Sequence, residues 1–308
     1  MARHIMLRLY DMGHRDFSGY DLRGVDLSGV TLIGVNLAEA NLTGADFSKA
    51  FLTKSNLNGA LLNWANLSFV KLSEGSLENA DLTKANLKGA FLVKSKLTQS
   101  RLSGANLNAA NLRNADLAKA NLCGASLTGI NLRGANLNGA ILSWANLSAA
   151  RLSGASLEGA DLQNVNLTGA YLNGVDLTGV DLSGVNLSEA KLSGANFQGA
   201  NLIGTNFTQA ELQGVNFIGA DLTSANFTKA SLHNAQLNWT ILSQANLTEA
   251  DLRGVNLSGA KLDNCEFNHS LQLSNNSLEQ YACQLPINTN NVNHRKAGVN
   301  LNCSLSWS

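Results

Sequence analysis

The sequence predicts an all-β solenoid, in which a very short strand and a corner are wound repeatedly around one axis. Leu or Phe occupies every fifth position from Phe17 to Phe267, in 51 consecutive units. A small apolar residue stands two positions before most of them, and turn-forming residues follow. A period of five fits neither a continuous strand of period 2 nor a helix of period 3.6, so the chain has to turn within each unit.

Each unit divides into an inward pair, an outward residue and a corner. Residues two apart in an extended segment point the same way, so Ala170 and Leu172 are expected to face one interior and Tyr171 to face out. The next two residues, such as Ser183 and Gly184, form the corner. An interior filled by Leu and Phe leaves no cavity for a small-molecule substrate.

The inward phenylalanines indicate how many units close one coil. In a coil of three units they fall on all three sides, but in a coil of four they occupy two opposed sides, where large rings can interleave. We therefore predict a square coil of four units, and the 51 units then make about 13 coils. The residues concerned are Phe17, Phe47, Phe197, Phe207, Phe217, Phe227 and Phe267.

Units such as ANLTG at residues 40–44 and ADLTS at residues 220–224 read A(D/N)LXX. This is the unit of the pentapeptide-repeat proteins, which the sequence resembles over residues 16–268. The resemblance implies a right-handed quadrilateral β-helix, and the opening stretch LRLYDMGHRDFSGYDL looks like that of several cyanobacterial members. Family members range from DNA-mimicking gyrase inhibitors to regulators that bind other proteins, so the resemblance leaves the function open.

Both ends of a solenoid expose apolar side chains and unpaired strand groups, so each end needs a cap. We expect an N-terminal capping segment at residues 1–15, with a helix over about residues 4–12 that ends at Gly13. The helical spacing predicts that one apolar face of this helix packs on the first coil, namely Ile5, Leu9 and Met12.

The repeat domain is expected to cover residues 16–270. A second capping segment is predicted at residues 271–286, where Ser277 opens a capping-box pattern and Pro286 ends the helix. Residues 287–308 are rich in Asn and Ser and predict a disordered tail.

Composition argues against several classes of function. Lys plus Arg and Asp plus Glu are both 22, which removes any global charge argument for nucleic acid. No apolar run of 18 residues and no signal peptide is present, so we expect no membrane span and a cytoplasmic location. The four cysteines lack CxxC spacing, and the five histidines join no catalytic or metal-binding pattern. We therefore expect no enzyme activity, cofactor or metal.

The four sides of the coil differ in the outward residue that precedes each Leu or Phe. On the side that contains Leu27, 11 of 13 such residues are Asp or Asn, whereas on the side that contains Leu32 only 3 of 12 are. With its corners, the Leu32 side carries 8 basic and 3 acidic residues. The predicted partner-binding residues all lie on it, and they are Phe51, Lys54, Lys71, Phe91, Lys94, Arg113, Arg133, Arg151, Tyr171 and Lys191.

This face predicts a non-enzymatic scaffold or regulator that binds a protein partner. Outward aromatic residues would anchor the partner and the basic residues would steer an acidic surface. Two alternatives remain open. The same face could bind nucleic acid by stacking on single-stranded bases. The protein could also mimic DNA and inhibit a topoisomerase, although it lacks a phosphate-like negative surface.

A second surface feature is a duplicated stretch. GALLNWANLS at residues 59–68 recurs as GAILSWANLS at residues 139–148, four coils later. The offset places Leu61 with Trp64 and Ile141 with Trp144 on one side, about 19 Å apart at about 4.8 Å per coil. A duplication of four coils accounts for the repetition, and exposed tryptophan favours a contact surface.

Overall fold

The computed structural model describes residues 3–268. The chain forms two compact units, Met1–Asp176 and Leu177–Ser308, and both contain the same coil. The predicted capping segment at residues 271–286 and the predicted tail at residues 287–308 lie outside the described residues.

The main chain winds as a coil of 20 residues, because parallel β-bridges join residues 20 apart. Each strand is a single bridge residue, which is the outward residue of its unit. The prediction of four pentapeptides per coil is therefore confirmed. The bridges run from Asp16 with Asn36 to Arg151 with Tyr171 in the first unit, and from Asp181 with Asn201 to Asn246 with Glu266 in the second.

Each corner is a tight turn that resembles type II. The Ala45 N–H donates to the Leu42 carbonyl at 3.0 Å, and Gly44 between them has φ 67°. Every fifth residue from Gly19 to Asn264 has φ between 55° and 72°, and 25 of these corner residues are not glycine. Glycine adopts this left-handed region without strain, which explains its frequency at the corners.

Hydrogen bonds tie each coil to the next. The Leu42 N–H donates to the Leu61 carbonyl at 2.8 Å, and the Leu61 N–H donates to the Ala40 carbonyl at 3.0 Å. At the corner, the Gly44 N–H donates to the Asn63 carbonyl of the next coil at 2.9 Å. Main-chain hydrogen bonds therefore join adjacent coils both along the wall and at the corner.

Outward Asp and Asn residues stabilise both the corner and the stack of coils. Asn66 Oδ1 accepts the Ser68 N–H at 3.2 Å, and it also accepts Asn86 Nδ2 at 3.2 Å from the next coil. The first bond fixes the corner, and the second continues along the wall. The predicted ladder of stacked asparagines on the Leu27 side is confirmed at this position and again at Asn146 and Asn166.

Asp81 is an outward carboxylate held by several donors. Burial alone raises its pKa, but hydrogen bonds from Thr83, Asn63 and Arg101 bring the pKa well below the usual value. The Thr83 hydroxyl donates to Oδ1 at 2.6 Å, and the Arg101 guanidinium donates to Oδ2 at 2.8 Å. The ionised form of Asp81 is therefore the form that stabilises the fold.

Within each unit the interior is a column of Leu, Phe and Ala. In the second unit, Phe197 stacks on Phe217 at 5.2 Å between ring centroids, and Phe207 stacks on Phe227 at 5.0 Å. The two stacks meet edge to face, with Phe207 and Phe217 at 5.8 Å. The prediction that large rings from opposed sides interleave is confirmed.

Helix α1 spans Arg3–Asp11 and is followed by a turn at Gly13, whose N–H donates to the Tyr10 carbonyl at 3.0 Å. Its buried residue is Met6, whereas Ile5 is 45% exposed and Met12 is 74% exposed. The predicted packing face is therefore wrong at Ile5 and Met12, whereas Leu9 is half-buried. Arg3 pairs with Asp26 at 3.1 Å and the Tyr10 hydroxyl donates to the Ile33 carbonyl at 3.0 Å, and these polar bonds turn Met6 toward the first coil.

Candidate functional site

The predicted surface consists of the outward and corner residues of the Leu32 side. Its outward residues in the first unit form one ladder of bridges, namely Phe51, Lys71, Phe91, Asn111, Asn131, Arg151 and Tyr171. The Phe51 N–H donates to the Val30 carbonyl, and the Phe51 carbonyl accepts the Leu32 N–H, both at 2.8 Å. At about 4.8 Å per coil, the ladder from Phe51 to Tyr171 is about 29 Å long and its main chain is held on both sides.

Three aromatic side chains project from this ladder. Phe51 is 46% exposed, Phe91 is 39% exposed and Tyr171 is 40% exposed. Lys71 lies between the two phenylalanines, with Nζ 3.1 Å from the centroid of the Phe91 ring. This cation–π contact orders Lys71 on the wall and leaves the ring available from its other face.

Some of the predicted basic residues are neutralised within the fold. Lys54 Nζ lies 3.9 Å from Glu74, and in the second unit Lys191 Nζ lies 2.6 Å from Glu211. The other predicted basic residues of the first unit have no ion pair among residues 3–268, and they are Lys71, Lys94, Arg113, Arg133 and Arg151. The positive charge without an ion pair therefore lies along residues 71–151.

Arg113 and Arg133 occupy the same corner position in adjacent coils. The Asn114 N–H donates to the Arg133 carbonyl at 2.9 Å, so the two corners are tied together. Like charges directly beside each other on neighbouring strands are destabilising. Serine occupies this corner position one coil further along, at Ser153, so the fold does not require arginine here.

In the second unit the same side is close to neutral. Arg253 donates to Asp251 at 2.6 Å, and this hydrogen bond, more than its charge, lowers the pKa of Asp251. With Lys191 paired to Glu211, the basic residues on this part of the Leu32 side are all compensated. The candidate site therefore concentrates in the first unit.

Sequence reasoning missed two exposed apolar residues beside this wall. Phe69 is 46% exposed and lies at the corner that leads into the Leu32 side, with φ 57°. Ile33 is 48% exposed at the first corner that follows Leu32. Both stand at corner positions where the repeat favours Gly or polar residues, and this departure from the pattern is the signal that could have identified them.

The structure presents little that could perform chemistry. No group of three or more His, Cys, Asp or Glu side chains is placed to hold a metal ion within the described part of the chain. Cys123 and Cys265 are free thiols, and burial raises the pKa of Cys265 to about 11, which makes it a poor nucleophile. In residues 3–268 no helix has both the length and the apolar character to cross a membrane.

A profile of the family described as pentapeptide repeats matches the chain in eight copies. The matched residues are 21–59, 60–99, 100–139, 140–179, 170–209, 190–228, 206–244 and 230–268. No match was found among curated protein sequences.

Several solved structures are similar to this chain. HetL from Nostoc sp. strain PCC 7120, a pentapeptide repeat protein involved in heterocyst differentiation regulation, is 29% identical over 86% of this chain and 94% of its own, with a TM-score of 0.27. A pentapeptide repeat protein from the Arabidopsis thaliana thylakoid lumen is 26% identical over 36% and 77%, with a TM-score of 0.34. Full-length QnrB1, a plasmid-mediated fluoroquinolone resistance protein, is 20% identical over 78% and 94%, with a TM-score of 0.29.

Proposed function

Because the chain belongs to the pentapeptide-repeat family, whose fold is a right-handed β-helix, we propose that it is a non-enzymatic scaffold or regulator that binds a protein partner. The binding surface is the Leu32 side of the first unit, with Phe51, Phe91 and Tyr171 as apolar anchors. The cations without an ion pair at residues 71–151 steer an acidic surface of the partner toward these anchors.

One observation carries this proposal. Arg113 and Arg133 lie at the same corner of adjacent coils without a counter-charge among residues 3–268, and Phe91 and Tyr171 project from the same wall. A bound carboxylate between the two guanidinium groups would relieve their repulsion. Lys191 contributes least, because Glu211 already neutralises it in the second unit.

The spacing of the aromatics favours a protein over single-stranded nucleic acid. Phe51 and Phe91 are two coils apart, about 10 Å at about 4.8 Å per coil. Bases stacked as in a duplex rise by about 3.4 Å along one strand, so two rings about 10 Å apart would stack on about one base in three of such a strand. Protein hot spots instead combine a few separated aromatic anchors with a charged rim.

The first experiment identifies the partners by pull-down from the source organism and then measures their affinity for variants. A triple Ala variant at Phe51, Phe91 and Tyr171 is expected to lose the partner. Phe91→Ala should weaken binding more than Lys191→Ala, because anchors determine affinity and rim charges mainly set the association rate. A triple variant that keeps its full set of partners would overturn the proposal.

The stacked arginines offer a second, matched experiment. Replacing both Arg113 and Arg133 by Ser should slow association with the partner and raise the unfolding temperature, because their mutual repulsion is removed. Lys88→Ser removes a cation from the same corner position on another wall and serves as the control. A salt titration separates the nucleic-acid alternative. An affinity that falls steeply with ionic strength, as expected when several phosphates are neutralised, would instead indicate a nucleic-acid partner.

A supercoiling assay with DNA gyrase distinguishes the DNA-mimic alternative. We expect no inhibition, since the net charge is zero and a mimic has to present phosphate-like negative charge. The proposed compartment is the reducing cytoplasm, in keeping with the free thiols of Cys123 and Cys265. Cell fractionation tests that location.

A further inference from the structure

We propose that two copies of this chain associate in antiparallel orientation through the Leu22 side of the first unit, with Trp64 of each copy on Trp144 of the other. The Leu22 side consists of the outward and corner residues of the units that stack with Leu22. It lies two units from the Leu32 side in a coil of four, so it is the opposite wall. This inference is independent of the proposed function because it uses a different surface.

The Leu22 side carries two separate apolar patches. In one patch Leu61 is 39% exposed and Trp64 is 63% exposed; in the other Ile141 is 39% exposed and Trp144 is 67% exposed. The outward residues between the patches are joined by bridges in the order Leu61, Asp81, Arg101, Asn121 and Ile141. Four coils at about 4.8 Å each separate the patches by about 19 Å.

Both tryptophans occupy backbone positions that disfavour them. Trp64 has φ 60° and Trp144 has φ 63°; of the three corners between them, Gly104 and Gly124 are glycines with φ 64°, and Lys84 has φ 58°. A bulky residue in the left-handed region is an outlier, and such residues cluster at functional sites. The fold would be better served by glycine at both corners, so the tryptophans point to a role outside the fold.

The arrangement of the patches is self-complementary. They are symmetric about the coil that contains Arg101, with two coils on either side. A two-fold axis that passes through this coil, in the plane of the wall and perpendicular to the coil axis, places Leu61 opposite Ile141 of the second copy. The same operation places Trp64 opposite Trp144 of the second copy, and both contacts occur twice. Such an interface is closed, so it produces a dimer and no longer assembly.

The charges between the patches are compatible with this pairing. Asp81 faces Asn121 of the second copy, whose amide can donate to a carboxylate. Lys84, whose Nζ lies 4.6 Å from the centroid of the Trp64 ring in its own chain, faces Gly124 of the second copy. Arg101 faces its own symmetry mate, but each Arg101 is neutralised within its chain by Asp81 at 2.8 Å. The pairing therefore brings no uncompensated like charges together.

Measuring the molecular mass of the full-length protein in solution over a series of concentrations tests the association. Sedimentation equilibrium should give twice the chain mass of 32.5 kDa at high concentration. Trp64→Gly with Trp144→Gly should raise the dimer dissociation constant on the order of 100-fold or more, because two contacts made by four tryptophan side chains are lost. Its unfolding temperature at low concentration should not fall, since glycine adopts the corner backbone without strain. Trp239→Gly is the matched control, because Trp239 is 70% exposed with φ 60° but lies on another corner.

Site-directed cross-linking tests the antiparallel register. With Cys123, Cys283 and Cys303 replaced by Ser, Ser103→Cys lies on the coil at the two-fold axis, so a short bis-maleimide that spans about 10 Å between packed sheets should link two copies. Ser143→Cys, two coils away on the same corner, should link poorly. A chain that stays monomeric, a double glycine variant that associates like the parent, or stronger linking at Ser143→Cys than at Ser103→Cys would each overturn the proposal.

Discussion

Two adjacent alanines, Ala149 and Ala150, test the corner geometry, because the same substitution by glycine is expected to stabilise the fold at one and destabilise it at the other. Ala149 is an exposed corner residue with φ 55°, whereas Ala150 is an inward residue that is completely buried. Replacing each by Gly is the same chemical change at neighbouring positions. Any effect that glycine has on the unfolded chain is therefore nearly the same in both variants.

The expected magnitudes follow from these two environments. At Ala149 the left-handed backbone costs an L-residue about 1–2 kcal/mol, and the extra freedom of unfolded glycine offsets roughly 0.5–1 kcal/mol. Ala149→Gly should therefore stabilise the fold by about 0.5–1 kcal/mol. Ala150→Gly loses a buried methyl group worth about 0.8 kcal/mol and adds the same glycine penalty, so it should destabilise the fold by about 1.5 kcal/mol.

Urea unfolding measures the free energy of unfolding of each variant, and the two values should differ by about 2 kcal/mol while the dependence on urea concentration stays the same. Thermal unfolding should move the midpoints in opposite directions by about 2–4 °C per kcal/mol. Ala109 and Ala110 provide an independent repeat, because Ala109 has φ 56° and Ala110 is completely buried. Equal loss of stability in both members of a pair would refute the account of the corner.

Other positions test the interior and the outward ladder. Leu137 is completely buried, so Leu137→Asp should cost more than about 4 kcal/mol in denaturant unfolding, whereas Leu137→Met should cost less than about 1.5 kcal/mol. Phe207→Leu should lower the unfolding midpoint more than Phe47→Leu, because Phe207 contacts three rings and Phe47 contacts no ring among the described residues. The pKa of Asp81 is lower in the folded state, so ionised Asp81 stabilises the fold above its unfolded pKa of about 3.9, and this stabilisation is lost as pH falls through the folded pKa. Below about pH 4 the Asp81→Asn variant should therefore lose less stability on acid titration than the parent protein does.

The repeat period determines most of the fold, and for this reason the coil was predictable. The spacing of Phe197, Phe207, Phe217 and Phe227 was enough to predict four units per coil, because ring volume has to fit opposed walls. The orientation of helix α1 was not predictable, since Arg3 and Tyr10 turn it by polar bonds to a coil that is distant in sequence. The division into two units at Asp176 leaves no mark in the sequence, because the same five-residue pattern continues on both sides of it.

The sequence predicts which wall carries the candidate residues, but it does not predict which of their charges are compensated. The loss of Asp and Asn from the Leu32 side identified the wall, since those residues are the default for corner hydrogen bonds. The pairing of Lys54 with Glu74 depends on rotamers, and sequence spacing only places the two residues on the same corner. Phe69 was not predicted because apolar residues were expected to mark a surface at outward positions, whereas at the corners only charged residues were compared.

The bridges between residues 20 apart have a consequence for changes in chain length. Within one unit, the wall to which an outward residue belongs depends only on its residue number modulo 20. Inserting or deleting a whole coil keeps every downstream residue on its wall and moves it by one step along the axis. A change of ten residues between Phe91 and Arg151 would preserve the inward Leu pattern but move Arg151 and Tyr171 to the wall opposite Phe91. Such an insertion would divide the surface between two walls while every core position remained filled.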